Sequence, residues 1–358
     1  MNKKITKPTL LIRKDICLRN ICKMSEKAAK NGLMFRPHFK THQSAEVGNW
    51  FKGFGVDRIT VSSVSMARYF ADHGWQDILI AFPLNVLEIE EINELAEQLS
   101  LSVLIESTNT LDILEENLKH NCNFYIKIDT GYHRTGMDSH NYAGIRELLD
   151  KSMHNPRLKF SGFLIHAGNT YEAKNVEEIK AIHDDSLYKL SKLKKEFSEN
   201  YPDLILSIGD TPSCSLMNDF EGIDEIRPGN FVFYDLMQYR LGACKLEDIA
   251  VAIVCPVVAR HPERQEIIIY GGAVHLSKDS LQQPDGSLDF GAIAMFDDQG
   301  WEQVSEDSYL RKLSQEHGVI RCSRDQFELI GIGDLLAVIP VHSCLSMNLM
   351  RSNYNIIE

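Results

Sequence analysis

The chain of 358 residues is 44% hydrophobic, enough to bury a large core and to form one big domain with a smaller one. Its formal net charge of −12 argues against a nucleic-acid backbone or an anionic membrane surface as partner and favours a small molecule. No run reaches the roughly 18 apolar residues of a membrane span. The basic N-terminal stretch is followed by no apolar segment, and the eight cysteines are scattered without Cys-x-x-Cys pairs, so the reading is cytoplasmic and without a disulfide framework.

In chain order, a short strand is read at Thr9-Leu10-Leu11-Ile12. A helix capped by Asp15 follows to about Asn31, with Gly32 in the C′ role. The apolar run Leu33-Met34-Phe35 is the first strand of a β-α series and delivers Arg36-Pro37-His38-Phe39-Lys40-Thr41-His42 at its end. Seven more β-rich runs follow, at 58–62, 77–82, 102–106, 124–129, 160–166, 204–208 and 225–227. Helical patterns such as 86–99, 109–119, 142–153 and 176–197 separate them. Eight such units over residues 14–240 predict a (β/α)8 TIM barrel, whose usual size is about 250 residues. Past Leu241 the rhythm changes. Runs at 249–254, 266–270, 327–330 and 335–340, with turns at 261–265, 284–286 and 297–300, predict a second, mostly antiparallel β domain over 241–358, with 1–13 as a candidate extra strand.

Every unusual polar cluster of the first domain falls at the C-terminal end of a predicted strand, the face on which barrels keep their chemistry. Lys40, beside His38, His42 and Arg36, has neighbours that disfavour its protonated form, and such a lysine can form a Schiff base. After the fifth strand, Asp129-Thr130-Gly131-Tyr132-His133-Arg134 supplies a tight turn and an arginine for an anionic oxygen. The sixth ends in His166-Ala167-Gly168-Asn169-Thr170-Tyr171 and the seventh in Gly209-Asp210-Thr211-Pro212-Ser213. The eighth ends in Arg227-Pro228-Gly229-Asn230, before a short helix at Phe231. Glycine-rich turns on the last two strands, leading to a helix N-terminus, describe a phosphate anchor, and a lysine opposite such an anchor points to pyridoxal phosphate. In the second domain, Val341-His342-Ser343-Cys344 follows a strand-like run. Residues two apart on an extended segment share a face, so the His342 imidazole and Cys344 thiolate are expected to converge on one metal and leave positions for water or substrate.

Pro37-His38-Phe39-Lys40-Thr41-His42 resembles the Schiff-base motif of the D-threonine aldolase and D-serine dehydratase family, relatives of alanine racemase with the fold-type III pyridoxal phosphate barrel. The resemblance extends through Asp129-Thr130-Gly131-x-x-Arg134-x-Gly136, His166-Ala167-Gly168, Gly209-Asp210-Thr211-Pro212, Arg227-Pro228-Gly229 and His342-x-Cys344. It implies that Lys40 binds pyridoxal 5'-phosphate, that Arg134 meets its phenolic oxygen and that His166 lies against the pyridine ring. Thr211, Gly229 and Asn230 cradle the phosphate, on turns that include Gly209 and Asp210, while Tyr171 and Arg227 are alternatives for the ring nitrogen. His342 and Cys344 match the ligands of a divalent metal, zinc being the ion implied, which alanine racemases lack. A homodimer and a D-amino acid substrate are also implied.

Many relatives carry a further histidine where this chain has Asn169; if it serves them as a base, its role here is either lost or taken by His133, His275 or a metal-bound water. His38 and His42 are expected to orient and tune Lys40. The expected activity is that of a D-serine dehydratase: Lys40 takes the α-proton, a metal-bound hydroxyl leaves, and pyruvate and ammonia result. The alternative is retro-aldol cleavage of the D-threonine aldolase type, giving glycine and an aldehyde. A racemase using Tyr270 as second acid-base, and a non-catalytic pyridoxal phosphate carrier, which would lack the β domain, stand behind these.

Overall fold

The computed structural model describes residues 5–297 and 300–358, which form two compact units. Cys22–Lys40 and Ser44–Gly229 make up one; the chain up to Ile21, Thr41–Gln43 and Asn230–Glu358 make up the other. Through residue 129 the elements are β1 (Thr9–Arg13), α1 (Lys14–Lys30), β2 (Met34–Phe35), α2 (Ala45–Lys52), β3 (Ile59–Val61), α3 (Val64–Asp72), β4 (Asp77–Pro83), α4 (Ile89–Gln98), β5 (Ser100–Ile105), α5 (Thr108–Asn117) and β6 (Cys122–Asp129). Next come β7 (Met137–Asp138), α6 (Tyr142–Ser152), β8 (Leu158–Leu164), α7 (Val176–Phe197), β9 (Ile205–Ile208), α8 (Thr211–Leu216) and β10 (Glu225–Ile226).

Eight parallel strands run in the order β2-β10-β9-β8-β6-β5-β4-β3, with β7 attached to β6. A parallel bridge between His38 and Thr60 joins the two ends: Phe39 N–H donates to Thr60 O (2.8 Å) and Thr60 N–H to Pro37 O (2.9 Å). The predicted (β/α)8 barrel is therefore present, with all eight predicted strands in it. Period-two alternation sorts its side chains. Leu79, Leu104, Tyr125 and Leu164 pack together as one cluster, whereas Phe163, one residue before Leu164, meets Phe197 of α7 at 5.5 Å. Helix α7 buries Ile179, His183, Ser186, Leu190, Leu193 and Phe197, steps of three and four that mark a single helical face. Asn175 caps it by accepting from Glu178 N–H, the Lys180–Asp184 pair occupies its outer side, and Lys189 pairs with Asp185 while donating to Thr130 O (2.9 Å). Each buried leucine of that face contributes roughly 2 kcal/mol from area alone.

The barrel also holds a buried ionic chain. Arg36 donates from Nε to Glu225 (2.7 Å) and from Nη1 to Asp77 (2.6 Å); Ser207 Oγ donates to Glu225 (2.6 Å) and accepts from Arg227 Nε (2.7 Å). Two carboxylates thus match the Arg36 charge, which corrects the expectation that Arg36 acts on Lys40: it is a structural ion pair.

The second unit contains α9 (Leu236–Arg240), β11 (Val251–His261), β12 (Glu266–Tyr270), α10 (Ala273–Leu276), β13 (Leu281–Gln282), β14 (Leu288–Asp289) and β15 (Gly291–Asp297). It continues with β16 (Gly300–Leu313), β17 (His317–Arg321), α11 (Arg324–Leu329), β18 (Leu335–Pro340), α12 (Ser343–Met350) and β19 (Tyr354–Ile357). Its sheet runs β12-β17-β16-β15-β18-β11 and closes into a ring through β11–β12; β1 adds antiparallel to β11, and β19, parallel to β1, is the outer edge. The predicted antiparallel β domain is thus a small closed barrel that takes in the N-terminal strand. One predicted strand is a helix: in 324–329 Phe327 and, just after, Ile330 are buried while Leu329 is 74% exposed, and Ser323 caps the segment by accepting from Gln326 N–H. Burial three residues apart is a helical period, which a run of four residues does not reveal. The turn read at 297–300 includes residues 298 and 299, outside the described residues. Among the described residues no helix is long and apolar enough to cross a membrane, and none of the eight cysteines forms a disulfide.

Candidate active site

In the barrel unit the loop after β6 is organised by one carboxylate. Asp129 Oδ1 accepts from the N–H groups of Gly131 (2.8 Å), Tyr132 (3.0 Å) and His133 (3.1 Å), which keeps its pKa low despite partial burial. The turn projects Arg134 over the Tyr132 ring at 5.0 Å, and Tyr132 in turn stands edge-on to His166 at 6.2 Å. Gly168 is required for this arrangement, because a Cβ there would lie 2.2 Å from the Tyr132 ring. His133 sits at the tip with a left-handed φ of 57°, its side chain 84% exposed and its Nδ1 3.1 Å from Asp129.

His166 Nδ1 donates to the Gly209 carbonyl, which fixes the tautomer with its lone pair on Nε2. Burial, the charge of Lys40 and that of Arg134 hold this imidazole well below its ordinary pKa, so it is neutral. Lys40 and Arg134 are thus each near enough for their charges to bear on His166. Lys40 itself is exposed, and its backbone N–H donates to His38 Nδ1 (3.4 Å).

The Tyr171 ring also lies 6.2 Å from His166, and its hydroxyl accepts from Thr211 N–H (3.2 Å). Asp210 caps α8: its carboxylate accepts from Ser213 N–H (2.7 Å) and Thr170 Oγ1 (3.1 Å), so it shapes the turn and is no donor to an anion. Thr211 Oγ1 is buried with no hydrogen-bond partner among the described residues. Arg227 is buried, its pKa pushed down to about 10 by burial against the counter-pull of Glu225; besides Ser207 it donates from Nη2 to Ile165 O. Gly229 is the last residue of the unit. Sequence reasoning missed two groups here. Tyr132 joins Arg134 to His166, and Lys127, 6% exposed, has its pKa pushed down to about 7 by burial and by Arg227. The signal for Lys127 was available, since it lies two residues from Tyr125 on the same face of β6.

In the second unit His342 and Cys344 do meet, for a different reason from the one expected. The segment is not extended: His342 is the N-cap of α12 and Cys344 lies in its first turn, where the imidazole hydrogen-bonds the sulfur. Burial opposes the charged imidazolium, but Asp279 and Cys344 outweigh it and push the His342 pKa up to about 11. Asp235 fixes the helix start by accepting from Ser343 N–H (2.9 Å) while also capping α9 through Gln238 N–H (3.0 Å). The Asn230 amide donates to Asp235 (2.6 Å), Ser343 Oγ (3.0 Å) and Cys344 Sγ (3.5 Å), so its side chain is committed to this unit. Thr41 Oγ1 lies 3.3 Å from the same sulfur, and Asp279 Oδ2 2.7 Å from His342 Nδ1. Asp279, Thr41 and Asp235 had no local signal. His42 is fully buried and counts with this unit; the Tyr270 and His275 rings lie 5.8 Å apart, and His275 Nδ1 accepts from Gly272 N–H (3.1 Å). Among the described residues no group of three or more His, Cys, Asp or Glu side chains forms a metal cage.

Residues 12–236 match the family model for the alanine racemase N-terminal domain, and residues 250–356 that for a putative serine dehydratase domain. The D-serine dehydratase of Dictyostelium discoideum is 31% identical, over 98% of this chain and 93% of that one. The chain belongs to the alanine racemase-like D-serine dehydratase family. Its family fold extends to D-threo-3-hydroxyaspartate dehydratase from Delftia sp. HT23, with a TM-score of 0.87 at 24% identity over 97% of this chain and 93% of that one. It extends also to D-threonine aldolase from Filomicrobium marinum, with a TM-score of 0.83 at 20% identity over 96% and 88%. A cysteine-to-alanine mutant of a D-threo-3-hydroxyaspartate dehydratase, in its metal-free form, matches with a TM-score of 0.90 at 24% identity over 99% of this chain and 95% of that one.

Proposed function

We propose that the protein is a pyridoxal 5'-phosphate- and metal-dependent lyase that converts D-serine to pyruvate and ammonia. The observation that carries this reading is the chain of contacts at the strand ends of the barrel unit, where Tyr132 joins Arg134 to a His166 whose Nδ1 is held by the Gly209 carbonyl and whose other neighbour, Tyr171, bonds Thr211. The cofactor fits what surrounds them. The buried Thr211 hydroxyl is a donor without an acceptor among the described residues, as a phosphate oxygen would supply. Thr211 and Gly229, with the backbone of Asn230, would hold the phosphate, framed by Gly209 and Asp210. Arg134 would meet the phenolic oxygen, and His166 would lie against the ring. For the ring nitrogen we favour Tyr171, since Arg227 is engaged through Nε and Nη2 with Ser207 and Ile165.

When bound, pyridoxal phosphate supplies a conjugated sink for the electrons of a carbanion at the substrate Cα. Lys40 Nζ would hold the cofactor and would be the group that takes the Cα proton. His166 takes no proton: the same three influences that keep it neutral would oppose an imidazolium, so it serves as a flat, uncharged wall. His133 is the exposed group available for proton exchange, and His42 the buried one that tunes the lysine turn. In the second unit the His342 imidazole and Cys344 sulfur form a borderline-soft donor pair that suits zinc and leaves positions open. When bound, zinc supplies Lewis acidity toward the substrate hydroxyl, which makes hydroxide a tolerable leaving group. Dehydration is favoured over retro-aldol cleavage because Asn169 cannot accept a hydroxyl proton, and its buried Oδ1 has no partner among the described residues. The reading includes a homodimer in the cytoplasm, the latter supported by eight cysteines without a disulfide.

The test is to supply D-serine and D-threonine separately and assay pyruvate and glycine, with and without a chelator. Pyruvate from D-serine, abolished by the chelator and by Cys344→Ala, is expected. Glycine from D-threonine without pyruvate from D-serine would replace the reading with an aldolase. Turnover of neither substrate by cofactor-loaded protein would leave a carrier.

A further inference from the structure

The donor pair His342 and Cys344 is held unequally by its surroundings. The sulfur has Asn230 Nδ2 at 3.5 Å and Thr41 Oγ1 at 3.3 Å, two small neutral groups. The imidazole has a carboxylate: Asp279 Oδ2 lies 2.7 Å from His342 Nδ1. That carboxylate is placed by its own local structure. After α10 the chain turns at Ser277, whose φ is 67°, and Asp279 N–H donates to Ser277 Oγ (3.2 Å). The turn is tied to the ligand helix, because Ser346 of α12 donates to the Leu276 carbonyl (3.3 Å). The base of α10 is anchored as well, through Gly271 N–H to Glu316 O (2.9 Å) and Ala273 N–H to Ser314 O (2.8 Å).

An ionised carboxylate only accepts, so the hydrogen of the neutral imidazole resides on Nδ1 and the lone pair on Nε2. We propose that Asp279 is a positioning residue for a divalent ion: by holding Nδ1–H it fixes His342 as an Nε2 donor and sets the affinity of the His342–Cys344 pair. The inference rests on the reading that this pair holds a metal, and goes beyond it by naming the residue that orients the ring. A carboxylate behind a metal-binding histidine raises its basicity and restricts rotation, and losing such a partner costs about 10–100-fold in metal affinity. Cobalt is the better probe, since a cysteine thiolate bound to Co2+ gives a charge-transfer band that reports the sulfur separately from the imidazole.

The experiment titrates the metal-free full-length protein and its variants with Co2+ alone, following that band, and repeats the titration with Zn2+ in competition with a chromophoric chelator. Asp279→Ala is expected to weaken binding by about 10–100-fold, with one ion per chain at saturation and the thiolate band still present. Asp279→Asn, whose Oδ1 can still accept from Nδ1–H, is expected to recover part of the loss. Circular dichroism confirms the fold of both variants before titration, because Asp279, though partly exposed, also pairs with His342 in the metal-free protein. Affinity unchanged in Asp279→Ala, alongside loss of binding in His342→Ala, would overturn the positioning role and leave the metal reading standing. A parent that takes up no Co2+ would overturn both.

Discussion

Replacing Lys127 by methionine isolates the cost of burying an amine inside the barrel. Lys127 is 6% exposed and donates from Nζ to Ile128 O (2.9 Å). Burial foremost, then Arg227, with Asp129 opposing, push its pKa from 10.5 down to about 7. Such a displacement corresponds to roughly 5 kcal/mol, at about 1.4 kcal/mol per pH unit. The folded pKa is lowered, so between pH 7 and 10.5 the unfolded chain binds a proton that the folded chain does not, and stability rises with pH across that window. Below pH 7 both states carry the proton and the full penalty stands. Lys127→Met removes the titration. The variant should therefore exceed the parent by several kcal/mol at pH 6.5, and the excess should shrink steadily as pH approaches 10. Urea unfolding of the cofactor-free proteins, followed by tryptophan fluorescence at several pH values, measures this. A stability difference that does not change with pH would refute the reasoning, because it would mean that Lys127 keeps an ordinary pKa in the folded barrel.

Thr211→Val removes the buried hydroxyl that has no partner among the described residues while keeping the shape of the side chain. It should weaken pyridoxal phosphate binding by roughly tenfold or more, the worth of a hydrogen bond to a charged group, and leave cofactor-free stability within about 0.5 kcal/mol. Fluorescence titration and urea unfolding read the two effects, and a loss of stability without a loss of affinity would count against the cradle. Glu225→Gln leaves the buried Arg36 with Asp77 as its remaining carboxylate partner. Breaking a buried pair from one side costs about 3–5 kcal/mol, and thermal unfolding should show a loss near the lower end. A loss under about 1 kcal/mol would mean that Asp77 alone compensates the guanidinium.

The barrel was legible because its strands are short apolar runs, five of them ending in a polar cluster, and parallel strands gather those ends on one side of the ring. What the sequence hid was set by partners far along the chain. Arg36 reads locally as a neighbour of Lys40, yet its charge is matched by Glu225 and Asp77 on other strands. His342 and Cys344 were paired by assuming an extended segment, but Ser343 N–H finds a cap in Asp235, 108 residues earlier, and starts a helix instead. Asp279 lies 63 residues before His342 and is tied to it only by tertiary structure. At 327–330 four apolar or charged residues were too few to distinguish a period of two from one near three. Lys127 is the contrary case: its alternation with Tyr125 was visible, and only the identity of its cationic neighbours required the fold.

The central claim is that Lys40, and no other lysine, carries the cofactor. Lys127 is the discriminating control, a second amine in the same barrel whose pKa near 7 makes it nucleophilic at neutral pH. The most direct measurement loads the protein with pyridoxal phosphate, reduces it with borohydride, digests it and locates the phosphopyridoxyl group by mass spectrometry. The label is expected on Lys40, with none on Lys127, and the visible absorbance band should be lost in Lys40→Ala. A label on Lys127, or an unlabelled Lys40 in protein that retains the band, would contradict it.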